Sequence, residues 1–217
     1  MANTNLITLT QPRSAASEAY RSLRTNLMFS SVESPIQTLL VTSAARDDQK
    51  SVTLANLAVT FAQSGNRTIL VDADLRQPKQ HELWDLDSNR GLSSMMVDDG
   101  AISDPPLQAT AVDGLEIICA GALPPNPADL LGGQRINEII ATLKQRADYV
   151  LFDSPPVLAA TDATLLGIKL DGALLAIRAG ETRRDHTAQA RQALERVHVR
   201  VVGAVLTDAP RDNQVAY

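Results

Sequence analysis

Lys50 and Ser51 close the segment Ser43-Ala44-Ala45-Arg46-Asp47-Asp48-Gln49, which follows one apolar run and leads straight into a helical pattern. A cation and a hydroxyl at the mouth of a helix suit phosphate chemistry. Backbone N–H groups of the loop and helix start wrap the phosphates, the lysine reaches the terminal ones, and the hydroxyl ligates Mg²⁺. Carboxylates stand at two further strand ends. Ile69-Leu70-Val71 runs into Asp72-Ala73-Asp74, and Val150-Leu151-Phe152 runs into Asp153-Ser154-Pro155-Pro156. Mg²⁺ takes few protein oxygens and keeps several waters, so two or three such groups are enough to hold it. Taken singly, each aspartate equally suits a turn or a helix cap. The loop taken singly equally suits a solvated surface segment, because the glycines expected at Ala44 and Gln49 are absent. The chemistry requires these segments to meet.

The pattern along the chain supplies a frame in which they do. Apolar runs at Thr38–Thr42, Thr68–Asp72, Leu115–Ala120, Tyr149–Asp153, Gly172–Ile177 and Val199–Thr207 lack alternation, which predicts strands buried on both faces. Leu54, Leu57, Ala58 and Phe61 recur at helical spacing, and Gly65 follows where a helix end is expected. Helical patterns return at Gln134–Arg146 and Thr182–Val197. Strand–helix–strand repetition implies right-handed crossovers and an α/β fold: a doubly wound, mostly parallel sheet flanked by helices, the P-loop NTPase fold, preceded by an N-terminal helix. All strand C-termini then share one edge, where ligands of open α/β sheets bind. The expectation is one domain over 1–217, with a helix at 14–30, a nucleotide-binding core at 37–208 and a short tail at 209–217. Pro124–Pro127 reads as a stiff loop.

Composition narrows the function classes. Aromatic residues are 3%, so the core rests on Val, Leu, Ile and Ala, as a covered parallel sheet requires. A net charge of −5 excludes nucleic acid as a general partner. Cys119 is the only cysteine, so no internal disulfide forms, and its apolar surroundings make it an inert core thiol. No leader pattern and no membrane-spanning run stands out, so the expected location is cytoplasmic, without direct membrane insertion.

Leu70-Val71-Asp72-Ala73-Asp74-Leu75-Arg76 resembles the second Walker-type motif of the bacterial tyrosine kinases, and Phe152-Asp153-Ser154-Pro155 is similar to their Walker B form. Gly91-Leu92-Ser93, Pro124 to Leu131 and Arg178 to Arg183 are similar to the family in the same order, and Glu18, Arg21 and Arg24 match its Glu-x-x-Arg-x-x-Arg oligomerisation motif. The likeness covers roughly 14–208. It implies an ATP-dependent protein-tyrosine autokinase regulating capsular and exopolysaccharide synthesis and export, with ATP and Mg²⁺. By it, Lys50, Asp72 and Asp74 are catalytic; Asp47, Asp48, Gln49, Lys50, Ser51, Val52 and Thr207 bind nucleotide; and Ser51, Asp72 and Asp153 hold the metal. It also implies a homo-oligomeric ring and a transmembrane activator of the polysaccharide co-polymerase type that recruits the chain to the inner face of the membrane.

The sequence departs from the family at several positions. Arg46 replaces a proline, Asp47 and Gln49 replace glycines, and Val52 replaces a threonine; Leu206-Thr207-Asp208 stands where an asparagine reads adenine. A left-handed backbone at Asp47 or Gln49 would cost about 1–2 kcal/mol each. The tail carries Tyr217 alone, which makes it the expected phosphoacceptor, whereas Tyr20 and Tyr149 read as structural. Two alternatives stand beside the kinase: a nucleotide-weak scaffold of the same pathway, and a partitioning-type ATPase, which lacks support from Asp72–Arg76. Glu18, Arg21 and Arg24 equally suit a solvated, self-paired face. His81, His186 and His198 show no metal spacing. Arg183-Arg184 reads as solvated, or as reaching a neighbouring subunit's nucleotide.

Overall fold

The computed structural model describes residues 6–29, 34–46 and 48–209. Its strands are β1 (Thr38–Ser43), β2 (Thr68–Asp72), β3 (Gln108–Ala109), β4 (Leu115–Ile118), β5 (Tyr149–Asp153), β6 (Gly172–Arg178) and β7 (Val201–Thr207). The helices are α1 (Ile7–Thr10), α2 (Ala15–Phe29), α3 (Lys50–Gln63), α4 (Gln80–Trp84), α5 (Leu92–Met95), α6 (Asp99–Ser103), α7 (Pro127–Gly132), α8 (Arg135–Arg146), α9 (Asp162–Gly167) and α10 (Arg184–Arg196). One sheet runs in the order β3-β4-β2-β5-β1-β6-β7, and every pairing is parallel except that of the two-residue β3 with β4.

The unalternating apolar runs are explained by two cores. Leu39, Val41, Leu70, Leu151 and Leu174 turn to one face, under α3. Leu40, Val71, Phe152 and Leu175 turn to the other, under α8, α9 and α10. Successive side chains of a strand point to opposite faces, so a strand covered on both sides must be apolar throughout. Tyr149 begins β5 and packs its ring against Phe61 at 4.4 Å between centroids, the structural role expected of it. Cys119 is fully buried, and burial, then the nearby Asp72, pushes its thiol up to about 11.

The major elements fall where the pattern placed them, and the short ones do not. α1, α4, α5, α6, α7 and α9 span four to six residues each, less than two turns, so no apolar period can build up in the sequence. Pro127, read as the end of a stiff loop, is the first residue of α7, where its missing N–H costs nothing. β3 is an edge strand too short to carry a pattern. Gly65 follows the end of α3 with φ +87°, as its type predicted. Among the described residues, no helix is long and apolar enough to cross a membrane.

The entry to β1 is pinned by a carboxylate. Asp171 Oδ2 accepts from Gln37 N (3.0 Å), Thr38 N (2.8 Å) and Thr38 Oγ1 (2.9 Å). Burial alone would raise the Asp171 pKa, but these donors, with Lys144 beyond them, outweigh it and hold the carboxyl below its usual range. A depressed carboxylate stabilises the fold above the unfolded pKa, near 4, and loses that contribution as pH falls below it. Asp171→Ala should cost about 1–3 kcal/mol at pH 7. Urea denaturation at pH 7 and pH 3 should show that deficit shrinking at the lower pH.

Candidate active site

The C-terminal ends of β2, β5 and β1 lie side by side at the centre of the sheet, and Asp72 and Asp153 are direct partners across the β2–β5 pairing. This register brings together groups more than a hundred residues apart in the chain. Lys50 Nζ donates to Asp74 Oδ2 and to Asp153 Oδ1, both at 2.9 Å, and to Ser51 Oγ at 3.2 Å. The side chains are 11%, 5% and 0% exposed for Lys50, Asp74 and Asp153, so the interaction is largely out of water. Burial works against the ammonium, but the charges of Asp153 and Asp74 outweigh it and raise the Lys50 pKa well above its usual value.

The two carboxylates of the β2 turn are held differently. Asp72 is fully buried, with Oδ2 accepting from Lys79 N (3.0 Å) and Gln80 N (2.9 Å) and Oδ1 from Asp74 N (3.3 Å). Burial, then the adjacent Asp153, pushes its carboxyl up to about 8 against the opposing pull of Gln80 N and Lys50. Asp74 Oδ1 accepts from Arg76 N (3.3 Å) and Gln77 N (3.0 Å), an Asx turn that aims Oδ2 at Lys50. Arg76 extends from this turn to a bidentate contact with the buried Asp162 of α9, at 2.9 Å for both bonds.

Gln49, the residue before α3, has φ +56° and ψ +25°. Sequence reasoning identified this position by its missing glycine, and the backbone is indeed left-handed. No side chain caps α3, so its first N–H groups and positive dipole end remain for an anion. Side chains brace the loop instead. Gln49 Nε2 (2.7 Å) and Arg178 Nε (2.8 Å) both donate to Asp208 Oδ2, just past β7. Asp48 is buried, its carboxylate accepting from Ala45 N (3.1 Å) and from the Thr182 hydroxyl. The Thr207 hydroxyl lies 3.4 Å from the carbonyls of Asp48 and Ile177. Val52 is half-buried on the α2 side of α3, and Asp47 lies outside the described residues.

A cleft of about 450 Å³ opens over this assembly. Arg46, Lys50, Lys79 and Arg178 give it four cations against the single carboxylate of Asp74, while Ser51 lines its floor. This set fits a polyphosphate with Mg²⁺. Among the described residues, no three His, Cys, Asp or Glu side chains are arranged to hold a metal on their own. The residues fit a magnesium ion whose remaining ligands would be water and phosphate oxygens, with the Ser51 hydroxyl and Asp153 both beside Lys50 Nζ.

The remaining expected residues spread outward. Arg21 pairs with Glu18 and donates to Pro12 O (2.8 Å), while Arg24 reaches across to Thr60 O (2.8 Å) at the end of α3. Glu18 and Arg21 thus stay at the surface, and Arg24 is spent partly inside its own chain. Tyr20 is half-buried on α2, and burial raises its pKa. Tyr217 lies outside the described residues. Arg183 pairs with Asp185. Sequence reasoning missed Gln80, Asp162, Arg178 and Thr182 as side chains that brace the site. A glutamine or threonine carries no ligand signal by its type, and Arg178 and Thr182 were touched only through the likeness of Arg178 to Arg183 to the family.

No family model matches the chain. Individual proteins do. The tyrosine-protein kinase YwqD of Bacillus subtilis (strain 168) is 39% identical over 202 residues, covering 93% of this chain and 85% of the relative. The putative tyrosine-protein kinase CapB of Staphylococcus aureus is 35% identical over 207 residues, covering 95% and 90%. Among solved structures, the kinase domain of Escherichia coli tyrosine kinase ETK superposes with a TM-score of 0.90 at 30% identity, covering all of this chain and 85% of that one.

Removing the central cation tests the electrostatics directly. Lys50→Ala leaves Asp74 and Asp153 buried without a counter-charge, and unfolding in urea without divalent cations should show a loss of about 3–5 kcal/mol.

Proposed function

Since this chain belongs to the bacterial tyrosine-protein kinases, we propose that it transfers the γ-phosphoryl group of ATP to a tyrosine hydroxyl, with Mg²⁺. The observation that carries the reading is the Lys50 ammonium held between Asp74 and Asp153 at the mouth of an uncapped helix. In this reading Lys50 exchanges its carboxylates for terminal phosphate oxygens, and the α3 and loop N–H groups take the remaining charge. Lys50 now covers Asp153, so its departure would bare that carboxylate, and Ser51 and Asp153, backed by Asp72, would hold the metal there. The ion neutralises charge on the phosphates. The tyrosine oxygen bonds to the γ-phosphorus, the bond to the β,γ-bridging oxygen breaks, ADP leaves, and the tyrosine proton passes to Asp74. Positioning and charge neutralisation then supply most of the catalysis.

The proposed setting is capsular or exopolysaccharide synthesis. There a transmembrane partner of the polysaccharide co-polymerase type recruits and activates the chain at the inner face of the membrane. Glu18, exposed, and Arg21, half-buried, on α2 support contact between copies in a ring, with Tyr217 as the acceptor presented to a neighbour's site.

A second reading has its own observation. The left-handed Gln49 stands where a glycine would relieve strain, and its tether to Asp208 holds the loop from outside. These features favour a chain that binds nucleotide weakly and acts as a scaffold. Calorimetry separates the two. The wild type should bind ATP with Mg²⁺ at about 0.1 mM or weaker, and Asp47→Gly with Gln49→Gly should strengthen binding at least about tenfold by removing strain and a repulsive charge. Lys50→Ala in that background should abolish both the gain and phosphate transfer to tyrosine, followed by phosphopeptide mapping. A repaired loop that binds well yet never phosphorylates tyrosine would leave the scaffold standing.

A further inference from the structure

Gln80 is fully buried at the first turn of α4, and a buried primary amide is costly unless each of its polar atoms is matched. Here each one is. Gln80 Nε2 donates to Asp153 Oδ2 at 2.8 Å and to Ser51 O at 3.1 Å. Gln80 Oε1 accepts from Trp84 Nε1 at 3.2 Å. An indole N–H can only donate, so Trp84 fixes which end of the amide is oxygen and forces Nε2 towards Asp153. Trp84 is itself 5% exposed and packed in the core, so this choice is rigidly held. The Gln80 backbone N–H meanwhile donates to Asp72 Oδ2.

One residue therefore touches three segments of the site: the β2 carboxylate through its backbone, and the β5 carboxylate and the first turn of α3 through its side chain. We propose that Gln80, oriented by Trp84, is a positioning residue that sets the rotation of the Asp153 carboxylate, committing Oδ2 to the amide and leaving Oδ1 for the phosphate side. This rests on the phosphotransfer reading above. A free carboxylate can rotate and take a proton or an ammonium on either oxygen. With Oδ2 bound to a neutral donor, Oδ1 keeps the charge that faces Lys50 and, once the lysine has moved to phosphate, the metal's hydration shell. Hydrogen bonds behind a metal-site carboxylate typically change metal affinity by about 10- to 100-fold when removed.

Calorimetry of ATP binding with and without Mg²⁺ tests this without recourse to turnover. Gln80→Leu keeps the volume and removes the donors. The strengthening that Mg²⁺ gives to ATP binding should fall at least about tenfold relative to wild type. Affinity in metal-free buffer should stay within about threefold, because Lys50 and the α3 N–H groups are untouched. A Mg²⁺ gain preserved within that margin overturns the inference. So does a loss equal in both buffers, which would mark a general structural defect. If thermal melting shows that Gln80→Leu does not fold, Trp84→Phe decides. It keeps an aromatic, though smaller, ring in the core and removes the N–H that orients the amide, and it should cost about threefold or more of the Mg²⁺ gain, again sparing metal-free binding. An unchanged Mg²⁺ gain in Trp84→Phe then overturns the proposal. A wild type that binds no nucleotide in either buffer removes the phosphotransfer reading and this inference with it. A wild type with a normal Mg²⁺ gain that survives the substitutions removes this inference alone.

Discussion

A single ammonium held between two buried carboxylates organises the centre of this molecule. Lys50 Nζ lies 2.9 Å from both Asp74 and Asp153, and neither carboxylate has water enough to solvate its charge alone. Taking three charges out of water costs several kcal/mol per ion, and that cost is repaid only when geometry and further hydrogen bonds are nearly complete. They are nearly complete here. Asp74 is closed by the N–H groups of its own turn, Asp153 by the Gln80 amide, and the buried Asp72 behind them by three backbone donors. Removing any one of the three charges leaves another buried without its partner.

The sheet makes that arrangement rigid. β2, β5 and β1 are central strands with apolar residues on both faces, so their register cannot slip without moving large side chains out of two cores. Asp72 and Asp153 stay opposite one another for that reason. The turn after β2 is then stapled on both sides, by Arg76 to Asp162 and by Gln80 to Asp153 and the Ser51 carbonyl.

The phosphate loop is the exception to this consistency. Its last position is left-handed although it carries a glutamine, a strain of about 1–2 kcal/mol that the surrounding structure must offset. The offset is visible in the ties of Gln49 and Arg178 to Asp208 and of Asp48 to Thr182. A glycine loop closes on phosphate by backbone freedom. This one is held in shape by side chains at the ends of β6 and β7. Arg178 lines the cleft while it pairs with Asp208, so the same ties govern the charge available to a ligand.

Much of this protein was determined by its sequence alone. The centres of runs such as Thr38–Thr42 (Leu39, Leu40, Val41) and Tyr149–Asp153 (Val150, Leu151, Phe152) are apolar without alternation, as a strand covered on both faces requires. Asp72, Asp74 and Asp153 were read from the ends of such runs and Lys50 and Ser51 from the mouth of the helix that follows one, and the Asp72–Arg76 and Phe152–Pro155 signatures narrowed the family. Of the two loop positions where a missing glycine suggested left-handed backbone, Gln49 is left-handed and Asp47 lies outside the described residues. The partners of these groups were decided by tertiary structure. Gln80 and Asp162 carry no periodic or motif signal, Thr182 entered only as part of the Arg178 to Arg183 likeness, and the short helices that bear Gln80 and Asp162 have too few turns to show a pattern. Gln80 reaches Asp153 only because α4 folds back over the junction of β2 and β5. Arg24 likewise turns to Thr60 of its own chain because α2 packs on α3. Residue type and strand ends are written locally. The rotation of a carboxylate, and the donor that fixes it, arise only when distant segments close on one another.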